Sequence, residues 1–403
     1  MLWRAILVLT LAASPAAAQD LRGHGGPVRA LAAGADGRIY SGSFDTRAIV
    51  WEGTNAAQIT RHHAGAVTAV LALSDGRFAS AGQDGRVAIW GDGLQPIQSE
   101  VWHQLPVAAL ASWPGGLASA GWEGRIALWS GTGAPSYIDA HDGQITGLVA
   151  FAGGLASVGA DLRLRLWTSE GAPAGQIGLS APASSLATDG EALFLASPDG
   201  TLRRIIPEWP SVEATLSDRP LLSVAAGPGL VAAAGTTGQV WLVDPVTLET
   251  RATIDSGQGP IWALAIAKNA LFTGGNDGLI RRWSLDGMPL GDGNGPPDPT
   301  LISSRGAQVF RACAVCHTLT PDDGARAGPT LHGIFGRGIA TAPGYEYSKA
   351  LKKLDIIWTP QTVSELFEFG PDAYTPGSRM PEQRVPSAED RRALISFLET
   401  ATR

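Results

Sequence analysis

Cysteine is almost missing from this chain: Cys313 and Cys316 are the only two in 403 residues. A framework of several disulfides is thereby excluded, and this pair, three positions apart and followed at once by His317, is the most informative triplet in the chain. Lysine is nearly as scarce, with four residues; the formal net charge is −7 and no long basic stretch occurs. Nucleic acid is therefore not an expected partner. Charged residues make up only 17% of the chain, yet with 44% hydrophobic residues and no low-complexity tract the composition is that of an ordered globular protein. No apolar run has the length of about 20 residues that a membrane-spanning helix needs.

The nearest approach to such a run is the N-terminal MLWRAILVLTLAASPAAAQD. Arg4 supplies a positive start, Ala5 to Ala13 an apolar stretch, and Ala16-Ala17-Ala18 a small-residue cleavage site before Gln19. A membrane anchor is the alternative, and the run is too short for it. Residues 1–18 are expected to be a cleaved signal peptide. The mature protein would then be exported, bacterial and periplasmic, with no membrane insertion after cleavage.

What the chain has in plenty is glycine, at 51 residues, and tryptophan, at 13. Their placement is periodic. A turn residue, often followed by Gly, leads a β-branched run into Trp in DTRAIVW (to Trp51), DGRVAIW (Trp90), EGRIALW (Trp129) and DLRLRLW (Trp167). DGTLRRI (Ile205), TGQVWLV (Val243) and DGLIRRW (Trp283) continue the series, at spacings of 39, 39, 38, 38, 38 and 40 residues. Each period also holds two short alternating runs bounded by Gly or Asp, which is strand-and-turn chemistry.

These repeats resemble the WD-repeat propeller family, in which a blade is a four-stranded antiparallel sheet. The resemblance implies a seven-bladed propeller over residues 19–290. In that family a His, a Ser or Thr, the turn Asp and the Trp form a buried hydrogen-bonded set. His24, Ser41, Asp45 and Trp51 fit it, as do His63, Ser80, Asp84 and Trp90, and His141, Ser157, Asp161 and Trp167. The third blade has Glu123 in place of Asp beside His103, Ser119 and Trp129. Blades five and six lack the His and the Trp and are expected to rest on packing alone. Because the histidines recur in separate blades, a structural role is expected for them and not a shared metal site. Gln19–Gly23 and Met288–Gly291 both qualify as the strand that closes the ring.

A Gly-, Pro- and Asp-rich stretch, DGMPLGDGNGPPDP, then interrupts the pattern, with residues 291–300 as the linker. Helical periodicity follows in Ile302–Cys313, Tyr347–Leu354, Pro360–Phe369 and Ser387–Ala401, an α domain over 301–403. Inside it CAVCH, Cys313 to His317, is the attachment motif of a c-type haem. Two thiols three apart reach the two vinyl groups of one haem, and the adjacent imidazole points at the iron. A plain disulfide across the short loop or a thioredoxin-like redox pair is the competing reading; the His that follows at once and the lack of a surrounding βαβ pattern count against both.

From GAQVFRACAVCHTL through GPTLHGIFGR, APGYEYSKA and YTPGSRM to DRRALISFLETAT the chain resembles mitochondrial-type class I cytochrome c. The resemblance implies one covalent haem c on Cys313 and Cys316, with His317 and Met380 as axial ligands and Pro329 accepting from the His317 ring. It implies that Arg337, Tyr347 and Trp358 bond the buried propionate, and that Gly306 and Phe310 pack against Leu394 and Phe397. His332 is an alternative sixth ligand. Where the family has a pocket Tyr this chain has Leu366 or Phe367, and Leu351 replaces an Asn, so the distal pocket is expected to be drier. Arg326 and Arg379 match positions of the family's cationic ring, most of which is neutral here.

A haem held by His and Met has no open position for substrate, which is the chemistry of an electron carrier. The expected function is single-electron transfer to and from redox partner proteins, with the propeller as docking module. The alternative is a propeller-based oxidoreductase whose cytochrome drains electrons from a substrate site. Residues 19–300 carry 17 basic and 26 acidic side chains against 12 and 11 in 301–403, an acidic platform beside a near-neutral domain that would attract a basic partner.

Overall fold

The second repeat shows how each period folds. Val67–Ala72, Phe78–Gly82, Arg86–Trp90 and Gln98–Val101 are short strands joined by tight turns. At Ser74-Asp75-Gly76 the Asp75 carboxylate accepts the Arg77 backbone N–H at 3.1 Å and fixes the hairpin. The strand FASAG is buried along its whole length, since blades stack on both of its faces, and only the outermost strand is largely open to solvent. In the computed structural model, which describes residues 20–131, 133–291, 304–314, 316–319, 321, 328–345, 347–378, 380 and 383–402, seven such sheets stand in sequence. They form a seven-bladed β-propeller. The expected signal peptide lies outside the described residues, as does the expected linker apart from Gly291.

Each core cluster is shared by two neighbouring blades. Ala30, Tyr40 and Val50 of the first pack with Val67, Phe78 and Trp90 of the second, the Phe78 ring standing 5.3 Å from Tyr40 and 5.8 Å from Trp90 between centroids. Burying each such side chain contributes about 1.5–3 kcal/mol, so a blade is stable only between neighbours.

Both candidate segments take part in closing the ring. Leu21–Arg22 pairs antiparallel with Leu279–Trp283 of the last blade, Leu21 opposite Ile280 and Arg22 opposite Leu279. Further along the same strand the Leu290 N–H donates to the Arg282 carbonyl at 2.8 Å, and Pro289 bridges Trp283. The outer strand of the last blade is thus assembled from the two ends of the propeller, which meet where a Cβ on Gly291 would fall 1.9 Å from Asp20 Oδ1.

A small helical region follows. Helices α1 (Arg305–Ala314), α2 (Pro360–Phe369), α3 (Pro371–Tyr374) and α4 (Ala388–Ala401) surround one apolar core. Helices α1 and α4 cross at Gly306, where a Cβ would lie 2.1 Å from the Ala393 carbonyl oxygen, and Phe310 meets Phe397 at 5.4 Å between ring centroids. Arg305 closes the crossing with Asp390 at 2.5 Å. The Ser387 hydroxyl accepts from the Asp390 N–H and caps α4, and a reciprocal Thr359–Thr362 pair caps α2. The helix expected over Tyr347–Leu354 is only a 3₁₀ turn, Leu351–Lys353. The chain turns extended at Leu354 because Ile356 and Ile357 pair with the Gly338–Ile339 segment.

Candidate functional site

Helix α1 ends on the thiols. The Cys313 carbonyl accepts from the backbone N–H of Cys316 at 3.1 Å and of His317 at 2.9 Å, so Cys316 and His317 are tied back to the end of the helix. The chain then comes back alongside: Gly328 donates to the Cys316 carbonyl and Leu331 to the Thr318 carbonyl, both at 2.9 Å. This return brings the Pro329 carbonyl oxygen 2.7 Å from Nδ1 of His317. A carbonyl only accepts, so Nδ1 carries the proton and Nε2 keeps its lone pair, the form in which imidazole binds a metal. Gly328 leaves room for the ring, since a Cβ there would lie 2.4 Å from its Cε1.

Burial, with Cys316 adding to it, pushes the Cys313 thiol up to about 12. A redox or nucleophilic cysteine needs a shift in the opposite direction. Cys313 is therefore not held as a nucleophilic thiolate.

The eight residues expected to attach, ligate or hydrogen-bond the haem or its proximal His, Cys313, Cys316, His317, Pro329, Arg337, Tyr347, Trp358 and Met380, line one cavity of about 440 Å³. Leu351, Leu366 and Phe367, the apolar departures from the family pattern, line it too, with Leu366 and Phe367 buried. His332 does not line it; its carbonyl instead accepts from Arg337 at 2.9 Å. Arg337 also donates to the Thr330 carbonyl at 2.6 Å, so its guanidinium pins the loop that presents Pro329. That tie was not legible in the sequence, because it depends on which carbonyls face the side chain. Burial raises Tyr347 above the ordinary phenol range, which leaves its hydroxyl protonated and able to donate. Its oxygen accepts the Ala342 N–H at 3.3 Å, and the Trp358 backbone N–H donates to the Arg337 carbonyl at 2.9 Å. Ser378, which sequence reasoning passed over, accepts the Met380 N–H on its hydroxyl at 3.1 Å. An apolar cleft with two thiols, an oriented imidazole and a thioether on its walls is the donor set and shape that a haem requires. Arg326 and Arg379 lie outside the described residues.

In the propeller His24, His63, His103 and His141 are each engaged within their own blade. His24 meets Asp45 through Nδ1 (3.0 Å) and Ser41 through Nε2 (2.7 Å), and the Trp51 indole donates to Ser41 at 2.7 Å. His63 and His141 repeat the arrangement with Ser80, Asp84 and Trp90, and with Ser157, Asp161 and Trp167. The third blade keeps only part of it. His103 bonds Glu123 and Ser119, but the Trp129 indole nitrogen is buried with no partner among the described residues.

The expectation that blade five rests on packing alone is corrected. Arg203 there donates to Asp199 and Ser197, both at 2.7 Å, and to Glu213 at 3.2 Å, so an arginine four residues after the turn acid does the work of the histidine. In the last blade Gln258 replaces it, donating to Asp277 at 3.0 Å and accepting from Thr273 at 2.6 Å, while Trp283 donates to Thr273. Blade six has Ala233 and Val243, both fully buried, at the Ser and Trp places.

Known families match both parts of the chain. The family described as cytochrome c matches residues 303–402, and the WD domain, G-beta repeat family matches residues 17–52 and 54–91. The chain is 40% identical to cytochrome c of Cochliobolus lunatus over 102 residues, which is 25% of this chain and 94% of that protein. It is 40% identical over 102 residues to cytochrome c of Arabidopsis thaliana, 25% of this chain and 90% of that one. Cytochrome c of Ulva intestinalis is 37% identical over 111 residues, 27% of this chain and 96% of the relative.

Proposed function

The C-terminal domain of this chain belongs to the cytochrome c family, and on that premise we propose that the protein is an exported, periplasmic carrier of single electrons. It holds one covalent haem c, and its propeller docks the redox partner protein. One observation carries the reading: Cys313, Cys316, His317 and Met380 line a single apolar cavity, with the His317 ring already oriented through Nδ1.

Cys313 and Cys316 would form the two thioethers, and His317 Nε2 and the Met380 sulfur would hold the iron. Bound there, a haem c supplies a reversible one-electron couple at a potential that a thioether ligand raises. The Pro329 carbonyl fixes the tautomer of His317 and makes Nε2 more basic. Leu366, Phe367 and Leu394 keep water from the pocket, while Arg337, Tyr347 and Trp358 would hold a propionate. With His317 and Met380 both holding the iron, the group would serve electron transfer and not substrate binding. An acidic propeller of WD type suits a partner with a basic face. Residues 1–18 support export.

Denaturing mass spectrometry of protein matured with the c-haem system should show one haem adduct per chain. Haem lost to acid extraction without thioether cleavage would overturn the covalent assignment. The oxidised protein should show the weak near-infrared sulfur-to-iron band, lose it in Met380→Ala, and in that variant bind carbon monoxide readily when reduced. A band that survives Met380→Ala would transfer the ligand role to another group.

A further inference from the structure

Five propeller residues line the same cavity as the haem-domain residues: Phe44, Thr46, Gly65, Ala66 and Gln83. All five belong to connections at one end of the first two blades. Phe44 and Thr46 follow Ile39–Ser43, Gly65 and Ala66 lead into Val67–Ala72, and Gln83 follows Phe78–Gly82. These connections are built. The Phe44 N–H donates to the Pro27 carbonyl at 3.1 Å and the Gln83 N–H to the Ala66 carbonyl at 2.9 Å. Beside Phe44, the Arg29 guanidinium lies 5.8 Å from its ring and 4.5 Å from that of Trp262.

None of the five side chains is charged, in a propeller that is otherwise strongly acidic. An uncharged rim can close over an apolar crevice without burying an unpaired charge. The crevice is also on the same chain, and a tether holds such a neighbour at an effective concentration in the millimolar range.

We propose that this rim is the seat of the chain's own cytochrome domain, which docks there with the mouth of its haem crevice and covers the haem edge until a redox partner displaces it. The contact follows from the shared cavity; its consequence for electron transfer rests on the carrier reading above. The propeller then does more than collect partners. It shields the redox centre from small reagents and makes partner binding the event that exposes it.

The test uses the full chain. With a photo-crosslinking residue in place of Gln83, irradiation should yield an intrachain adduct between position 83 and a peptide within residues 345–380. In stopped-flow, Phe44→Ser and Gln83→Arg should each speed reduction by ascorbate about fivefold, as expected when an aromatic anchor is removed or a charge is wedged into an interface. No adduct to the cytochrome domain, or unchanged rates in both variants, would overturn the proposal. An adduct in a protein that ascorbate cannot reduce would uphold the contact and sink the carrier reading instead.

Discussion

At the scale of the residue, the site depends on groups too small or too ordinary to attract notice. Gly328 matters because the His317 ring occupies the space a side chain would need. In Gly328→Ala the ring or the returning loop must shift, loosening the bond from Nδ1 to Pro329. Losing such a support commonly weakens a metal ligand 10–100-fold, so external imidazole should displace an axial ligand at a concentration roughly tenfold lower than in the parent. An unaltered imidazole titration would show that the ring tolerates the methyl. Arg203 is the second such residue. Removing it in Arg203→Met leaves the buried Ser197 hydroxyl without its donor and should lower stability by about 1–3 kcal/mol, read from the urea midpoint. A midpoint that does not move would restore the view that blade five is held by packing alone.

At the scale of the element, the outer strand of the last blade is the point of weakness. Leu21 is fully buried against Ile49, Trp51 and Ile280, so a chain beginning at His24 loses that contact, worth about 1.5–3 kcal/mol, and bares a strand edge. It should scatter light on warming and unfold at lower urea than a chain altered only at Met288–Gly291. Equal behaviour of the two would mean that both segments matter alike.

Acid acts on the hydrogen-bonded sets in two windows. Burial holds His141 below its ordinary value of about 6.5 despite Asp161 beside it, so below that pH the unfolded chain takes up a proton that the folded one resists. Stability then falls as pH falls. Burial opposes ionisation of Asp161, but hydrogen bonds from His141 and Arg165 hold it at about 2. Its contribution is present above about pH 4 and is lost on the way down to about pH 2. The urea midpoint should drop from pH 7 to pH 5 and again from pH 4 to pH 2.5. A flat profile through the first window would mean that His141 takes up its proton as readily in the fold as in the unfolded chain, and a rise would mean that the fold favours the protonated ring.

For the whole molecule, two domains of different charge and construction share one chain. The segment from Thr300 onward corresponds to nearly the entire length of the Cochliobolus relative and should fold and keep its spectrum alone. Without the propeller it should exchange electrons with its physiological partner far more slowly than the full chain at low salt. The gap should narrow as salt rises, because attraction by the acidic face is screened over about 8 Å at physiological ionic strength. Equal rates at low salt would remove the docking role, and turnover of a substrate by the propeller would revive the oxidoreductase reading.

The repeat count, the change from β to α near residue 300 and the CAVCH motif with its His were legible because each is local. Strand period, turn residues and ligand spacing are written in consecutive positions. The same locality explains the errors. Tyr347–Leu354 has helical spacing, yet pairing of the next residues with Gly338–Ile339 pulls the chain extended. That the sheet closes with strands from both ends, that Arg203 and Gln258 stand in for histidine, and that Arg337 pins the Pro329 loop were decided only by the tertiary structure. Each depends on which side chains and backbone groups come to face one another, and that is set by how the blades and helices pack, not by the order of residues along the chain.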